Sequence, residues 1–312
     1  MAQHTQSTQF VKVGFEGTTP STTGVQATKK LLSFGFDINI EQTYDKFRPM
    51  GFKYDTITSV SKEWSGGSLS GRATYDEMIY ALASVLSNPT ATAGTGAAAG
   101  STTWTFPMNS STPDTPLYFS VEQGDDTLAY RTISSIIKEL SLKFDRGTAC
   151  EMTGNIIGKG YQAAIANGTN TGITSISPTV MQPNQVSIYL DTTSSAIGTT
   201  KLLNCEIADL KIGNRFDAWW VLNNSLTSFS DVVELIPDVK LSLQMAADSA
   251  AVSILNGARL GQTFFVRIQA VGPEIGNTDV FNTFTFDFAG KVDSVPKKGV
   301  TNNVLTMTWV LV

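Results

Sequence analysis

Histidine is almost absent from this sequence, and cysteine is scarce. The only histidine is His4, which excludes a serine–histidine–aspartate triad, histidine-based proton transfer and multi-histidine metal sites. Cys150 and Cys205 lie in strand-like sequence without C-x-x-C spacing, so we predict buried free thiols rather than a disulfide or a metal pair. These two counts exclude most hydrolase classes, and we expect no enzyme activity, no metal and no cofactor.

Charge is also scarce. Charged residues make up 16% of the 312-residue chain, and the net charge is −5, whereas about 25% of an average soluble domain is charged. No run of lysines and arginines is present, and binding to nucleic-acid phosphates depends on such clusters. Sequence-independent binding of nucleic acid is therefore not expected. Threonine, serine, glycine and β-branched residues are abundant instead, which predicts a mainly β protein.

Long apolar runs and nucleotide-binding loops are missing as well. No segment approaches the ~18 consecutive apolar residues of a membrane-spanning helix, and residues 1–6 lack the features of a signal peptide. We therefore expect synthesis in a cytoplasm and no membrane partner. The glycines of 94–100 lack the strand and helix that flank a dinucleotide loop, and Gly158-Lys159-Gly160 departs from a P-loop.

A strand-then-helix pattern does occur, and it occurs twice. In the first copy Leu69–Ala73 leads to the capping box Thr74-x-x-Glu77. In the second Leu241–Met245 leads to Asp248, a good N-cap. The copies are offset by 172 residues (241 − 69 = 172). We favour a duplication that produces two similar domains, suited to ring assembly, over chance recurrence of a common pattern.

Composition divides the chain into segments. The first 30 residues have few apolar anchors, and two later stretches are rich in small polar residues and glycine, which is typical of flexible sequence. We predict an N-terminal arm over residues 1–30, a first β domain over 31–160 with a flexible insertion at 88–116, a linker over 161–182 and a second β domain over 183–312.

An aromatic-rich segment precedes the helix in each half, at 42–62 and at 214–234. Ordinary core strands are one interpretation. Polar and basic residues interleave the aromatic residues without strict alternation, which favours an exposed hairpin that packs on another subunit. The candidate contact residues are Tyr44, Phe47, Arg48, Met50, Phe52, Tyr54, Phe216, Trp219, Trp220 and Phe229.

Carboxylates near tryptophans leave one alternative open. Asp125-Asp126, or Glu206 with Asp209, beside Trp219-Trp220 would suit glycoside hydrolysis or a carbohydrate-binding protein. Adjacent acids after Gly124 are more typical of a turn, and tryptophans are more often core or interface anchors. We therefore favour a function other than catalysis.

Several motifs, taken in order, resemble a known family. They are Ser70–Met78, Tyr118–Gly124, Ile136–Gly147 and Ile157–Lys159. Over about residues 30–160 they resemble the major tail tube proteins of long-tailed, siphovirus-type bacteriophages. The second half resembles the same fold more loosely. The resemblance implies two tandem β-sandwich or barrel domains, each flanked by one short α-helix.

The resemblance also implies a function. It indicates a structural virion protein that assembles in the bacterial cytoplasm into stacked rings, forming the hollow tail tube through which phage DNA passes. A two-domain chain is expected to form a trimer rather than a hexamer, with other phage tail proteins as further partners. Segments 42–62 and 214–234 match the family's inter-ring hairpins, and 1–30 matches its arm. Another virion structural protein, such as a tail terminator or capsid component, is the alternative.

A conduit for DNA must not bind it, so polar or acidic residues are expected on the inner wall. Strand alternation places such residues opposite apolar ones. The candidates for the lumen are Glu139, Ser141, Glu206, Thr285 and Asp287. An ordinary solvated outer face is equally compatible with this alternation. Sheet edges left open in one chain are expected to pair with those of the next.

Overall fold

The computed structural model describes residues 10–109, 111–124, 129–165, 173–175, 177–222, 227–276, 279–294, 297–301 and 304–312. The chain is mainly β, with 57% of its residues in strands and 10% in helices, as the composition predicts. Within the described ranges, no helix is long and apolar enough to cross a membrane.

The first half begins with a long hairpin that leads into a helix. Its elements are β1 Phe10–Gly17, β2 Lys29–Leu31, β3 Phe34–Phe47, β4 Ile57–Arg72, α1 Met78–Val85, β5 Thr90–Ala93, β6 Thr102–Thr105, β7 Tyr118–Gly124, β8 Ala129–Asp145, β9 Thr148–Gly158, β10 Gly160–Ile165 and β11 Thr174–Ser175.

The second half repeats the progression from strands to a helix and back to strands. Its elements are β12 Val186–Asp191, β13 Cys205–Gly213, β14 Phe216–Trp219, β15 Asp231–Glu234, β16 Asp238–Ala246, α2 Ser249–Arg259, β17 Phe264–Glu274, β18 Phe281–Gly290, β19 Lys297–Thr301 and β20 Val304–Leu311.

The two helices begin differently. Asp248 caps α2 by accepting a hydrogen bond from the Ala251 amide (3.1 Å), which confirms the predicted N-cap. At α1 only half of the predicted capping box forms. The Thr74 hydroxyl accepts from the Glu77 amide (3.2 Å), but the Glu77 carboxylate accepts from the amides of residues 32 and 33 (both 2.8 Å). Glu77 therefore fixes the link between β2 and β3 instead of the helix end.

The segment boundaries differ from those predicted. Residues 1–9 of the predicted arm lie outside the described residues, but β1 pairs with β7 inside the sheet of the same chain. This pairing moves the start of the first β unit from residue 31 to Phe10. The predicted insertion contains the small hairpin β5–β6. The predicted linker contributes β10, which pairs with β8, while 166–172 and 176 are outside the described residues.

Strand β8 joins the two halves into one large sheet. The path runs β11-β2-β1-β7-β8-β13-β16-β20-β19, and β3, β4, β9 and β10 branch from it. The first part of β8 pairs with β7, and its last part, Leu140–Asp145, pairs with β13. Ser134, with a φ of 49°, adopts the left-handed conformation at the register shift near the end of the part that pairs with β7. A separate three-stranded sheet has the order β12-β17-β18.

The two halves share a set of antiparallel pairings. The matched pairs are β1–β7 with β12–β17, β3–β4 with β13–β16, β4–β9 with β16–β20, β7–β8 with β17–β18, and β8–β9 with β19–β20. The helix follows β4 in one half and β16 in the other. The repeat found in the sequence is thus part of a larger repeat of strand pairing, in which β18 and β19 together correspond to β8.

The hydrophobic core continues through both halves. One large cluster contains α1, the inner faces of β4, β8 and β9, and the inner faces of β13, β16, β17 and β20. A second, smaller cluster contains Tyr118, Ile136, Ile157, Phe216 and Phe229. Burial of this apolar surface on both sides of the β8–β13 junction stabilises the halves against each other.

Candidate assembly surfaces

The hairpin of β3 and β4 projects from the sheet. The two strands pair from Phe34 opposite Gly71 out to Phe47 opposite Ile57. Strand β4 also pairs with β9, but only from Ser65 to Arg72. The outer part of the hairpin, which includes the predicted hairpin segment 42–62, therefore has no further strand beside it within the described chain.

The end of this hairpin exposes large apolar side chains. We define the hairpin tip as residues 44–57. Met50 is fully exposed, and Tyr54 is 69% exposed. The other exposed apolar side chains of the tip are Tyr44, Phe47, Phe52 and Ile57. Arg48 is exposed as well. A cluster of exposed aromatic side chains is typical of a surface that binds another molecule.

The hairpin at the corresponding position of the second half is folded back. Phe216 and Phe229 are 1% and 0% exposed, because they belong to the smaller core cluster. Of the predicted contact residues, these two are therefore internal to the chain and offer no surface to a neighbour. Trp219 is exposed. Trp220 packs edge-on against Trp64, with ring centroids 5.9 Å apart.

Polar contacts also hold this folded-back hairpin on the first half. Lys138 forms an ion pair with Asp217 (2.6 Å), and the Tyr118 hydroxyl donates to Asp231 (3.2 Å). The Lys159 ammonium donates to the Ser230 carbonyl (3.2 Å), and the Glu63 amide donates to the Thr227 carbonyl (3.0 Å). The Lys62 ammonium lies 4.7 Å from the Trp220 ring centroid, a favourable cation–π distance.

Arg215 anchors the base of the folded-back hairpin. Its side chain is 0% exposed and pairs with Asp114 and Glu234, each at 2.9 Å. It also donates to the carbonyls of Val85 (3.0 Å) and Leu86 (2.8 Å). These carbonyls end α1, where the helix dipole favours a positive charge. The sequence analysis missed Arg215, because all of its partners except Glu234 lie more than a hundred residues away.

Strand β3 leaves one edge open beside a groove. Among the described strands β3 pairs with β4 alone. The carbonyl of Ile38 points away from β4 and accepts from the side-chain amide of Gln123 (2.8 Å). The groove has a volume of about 780 Å³ and is lined by residues 30–37, with Phe10, Gln123 and Tyr130 opposite. At the other end of the large sheet, β19 pairs with β20 alone in the described chain.

Three candidate lumen residues lie near the junction of the halves. Glu139 forms an ion pair with Lys211 (3.1 Å) across β8 and β13. Ser141 donates to Asp209 (2.7 Å) across the same two strands. Glu206 lies at the start of β13, where its carbonyl accepts from the Arg146 amide (3.2 Å). Charged and polar pairs thus cover one face of the junction.

The other two candidates lie on a different sheet. Thr285 and Asp287 are exposed on β18, and Asp287 forms a two-point ion pair with Arg267 of β17 (2.7 Å to each nitrogen). The five predicted lumen residues are therefore divided between the large sheet and the three-stranded sheet.

Among the predicted residues that the structure describes, neither a metal site nor a sugar platform is assembled. Over the described ranges no group of three or more histidine, cysteine, aspartate or glutamate side chains is placed to hold a metal ion. Asp125-Asp126 lies outside the described residues. Asp209 is occupied by Ser141, and the ring of Trp220 is covered by its neighbours.

Both cysteines are free, as predicted. Burial raises the pKa of Cys150 and of Cys205 to about 12. Both groups therefore stay protonated thiols near neutral pH, and a thiol is a poor nucleophile.

Compared with models of known protein families and with curated proteins, the chain matches none.

Proposed function

We propose that the chain is a structural subunit that assembles with copies of itself into stacked rings, forming the hollow tail tube of a long-tailed bacteriophage. One observation supports this most. A single chain contains two β units with the same pairings, joined edge to edge through β8 and β13. Along the run of strands β3-β4-β9-β8-β13-β16-β20-β19, the outer edges of β3 and β19 carry no further strand among the described residues.

The join between the halves has the polarity that ring assembly requires. It connects a late strand of one unit to an early strand of the next, so it is a head-to-tail contact. Head-to-tail contacts repeated with one rotation close into rings, or continue as filaments where the rotation does not close. Because each chain supplies two units, a closed trimer would present six of them.

The exposed hairpin tip supports contacts between rings. Its aromatic side chains stand on a two-stranded projection, beyond the part of β4 that β9 covers. Covering apolar surface gains about 25 cal/mol per Å², so a partner that encloses the tip stabilises the assembly. Met50 and Tyr54, the most exposed residues of the tip, are the anchors that we assign to this contact.

The charge balance suits a conduit for DNA. The chain has a net charge of −5, and both lysines of the β8–β13 junction are paired, Lys211 with Glu139 and Lys143 with Asp145. Affinity for the DNA backbone depends on lysines and arginines that displace counterions. We expect DNA to pass without specific binding, and other tail proteins to join the ends of the tube.

Electron microscopy of the purified full-length chain tests the proposal. We expect rings or tubes in negative stain, together with a mass by light scattering that is a multiple of the chain mass and centres on the trimer. Single rings that never stack would favour a tail terminator over a tube protein. A species that stays monomeric at high concentration would overturn the proposal.

A further inference from the structure

We infer that the open edge of β3 in one copy pairs antiparallel with β19 of the next copy, in the register that β8 and β13 show within the chain. The inference rests on the proposed self-assembly and specifies which edges meet. It follows from the repeat of strand pairing, because the pairing of β13 with β8 has no counterpart at β3 inside a single chain.

The first step matches β3 to β13. Phe36 of β3 lies opposite Leu69, and Leu210 of β13 lies opposite Leu241. Because Leu69 and Leu241 are the matched residues of the repeat, Phe36 corresponds to Leu210. Strand β13 is paired on both sides, by β16 and by β8, whereas β3 has only β4. The missing neighbour of β3 therefore corresponds to β8.

The second step matches β19 to the last part of β8. Leu69 is opposite Gly154 and Leu241 is opposite Leu311, so Gly154 of β9 corresponds to Leu311 of β20. Three residues earlier on these strands, residue 151 is opposite Lys143, and residue 308 is opposite Lys297. Lys297 in β19 thus corresponds to Lys143 in β8.

The third step transfers the register. Within the chain Asp209 is opposite Lys143. The corresponding pair between copies is Gly35 with Lys297. The next pair along the same strands places Phe34 of one copy opposite Lys298 of its neighbour, as Ala208 lies opposite Phe144 within the chain.

The surroundings of β3 fit an incoming strand. The groove of about 780 Å³ follows residues 30–37, which include the β3 positions that the transferred register assigns to β19. Gln123 lines this groove, and its side-chain oxygen is buried without a hydrogen-bond partner among the described residues. A buried unpaired acceptor is costly. An amide of an added strand would supply the missing donor.

A second copy is the occupant that the molecule itself indicates. The β8–β13 junction shows that this kind of unit accepts a neighbour at this edge, and β19 is the equivalent edge left free. The contact joins two different edges, so a two-fold dimer that pairs β3 with β3 does not form it. Each added copy leaves one edge free for a further copy, and the assembly grows head to tail.

Paired cysteines test the register. Opposite residues of antiparallel strands have Cα atoms about 4.5–5.5 Å apart, within disulfide range, whereas diagonal neighbours are about 7–8 Å apart. We would combine Gly35→Cys with Lys297→Cys, and as the matched control Gly35→Cys with Gly299→Cys, two residues along the same strand. A Cβ at Gly35 meets only a Val11 methyl at 3.8 Å, so cysteine fits there.

The expected product is a ladder of disulfide-linked chains under mild oxidation on a non-reducing gel. We expect roughly tenfold more linked product for the 35/297 pair than for the 35/299 control, because only the former satisfies disulfide geometry. Single-cysteine variants should give none, since Cys150 is buried, Cys205 is half-buried and both stay protonated thiols near neutral pH. Equal linkage in both pairs, or preference for 35/299, would overturn the register.

A second variant blocks the edge without cysteine. In the transferred register the backbone amide of Lys298 points away from β20, so Lys298→Pro removes a donor from the contact between copies and leaves β20 paired. We expect Lys298→Pro to abolish rings and Lys298→Ala to retain them. Rings that persist in Lys298→Pro would place the contact elsewhere and overturn this inference while the proposed function stands. A parent protein that never assembles would overturn both.

Discussion

The two long hairpins of this chain occupy the same place in the repeat but end in opposite ways. The hairpin of the second half bends after β13, buries Phe216 and Phe229 against the first half, and is anchored by Arg215. The hairpin of the first half stays paired as far as Phe47 and Ile57 and exposes its aromatic residues. One hairpin finds its partner within the chain, and the other is left for another molecule.

Replacement of Arg215 should cause the largest loss of stability, because Arg215 anchors the folded-back hairpin. Arg215→Ala leaves Asp114, whose side chain is 1% exposed, without its cation, and removal of one partner of a buried ion pair costs about 3–5 kcal/mol. We expect a loss of this size in the free energy of unfolding by urea. The control Lys138→Ala breaks an exposed ion pair and should cost less than about 1 kcal/mol. Similar losses in both variants would contradict the anchoring role.

Phe229 and Phe52 form a matched test of the two hairpins. Phe229 is buried and Phe52 is exposed. Phe229→Ala should cost about 3–4 kcal/mol in chemical denaturation, since it opens a cavity in the smaller core cluster. The same substitution at Phe52 should change the stability of the monomer by less than about 0.5 kcal/mol. A large loss for Phe52 would mean that the tip folds onto its own chain.

Loss of the N-cap of α2 should lower the stability by a smaller amount. Asp248→Ala removes the cap of α2 and should cost about 1 kcal/mol. Hydrogen bonds from Asn204 and then from the Ala251 amide lower the pKa of Asp248. A lowered folded-state pKa means that this stability is present above the unfolded value of about 3.9 and is lost as the pH falls through the folded value. Thermal unfolding of parent and variant should converge in that acidic range, and a constant difference there would contradict the assignment.

Substitutions in the hairpin tip should have the smallest effect on the monomer. Met50→Ser combined with Tyr54→Ser changes two highly exposed side chains and should alter unfolding by less than about 0.5 kcal/mol. Sedimentation should nevertheless show shorter or absent tubes, with rings preserved. Val252→Ser, at an exposed position of α2, is the control, and loss of tubes in that variant would mean that the tip is not the specific contact.

Local pattern was sufficient for part of this fold. Alternation and composition predict the β class. Asp248 is correctly predicted as the N-cap of α2, and the 172-residue offset identifies the strand-then-helix pattern that occurs in both halves. These signals act over a few residues, so a sequence carries them directly. The half-formed capping box at Thr74 shows the limit, because Glu77 binds the β2–β3 link instead.

Long-range pairing was not predictable in the same way. The aromatic residues at 44–54 and at 216–229 look alike as patterns, yet only the second set contains buried members, Phe216 and Phe229. What separates them is the bend after Gly213, where Asn214 has a φ of 55°, together with Arg215 and its distant partners. Contacts separated by about a hundred residues leave no periodic signature in the sequence.

Gln123 gives the open edge of β3 a removable cover. Its amide holds the Ile38 carbonyl that a new strand would use, so the bare edge is shielded from indiscriminate strand addition. Arrival of the right partner exchanges one hydrogen bond for another at little net cost. In the proposed assembly, this hydrogen bond would shield a free chain from unrelated sheets and would be given up when a second copy docks.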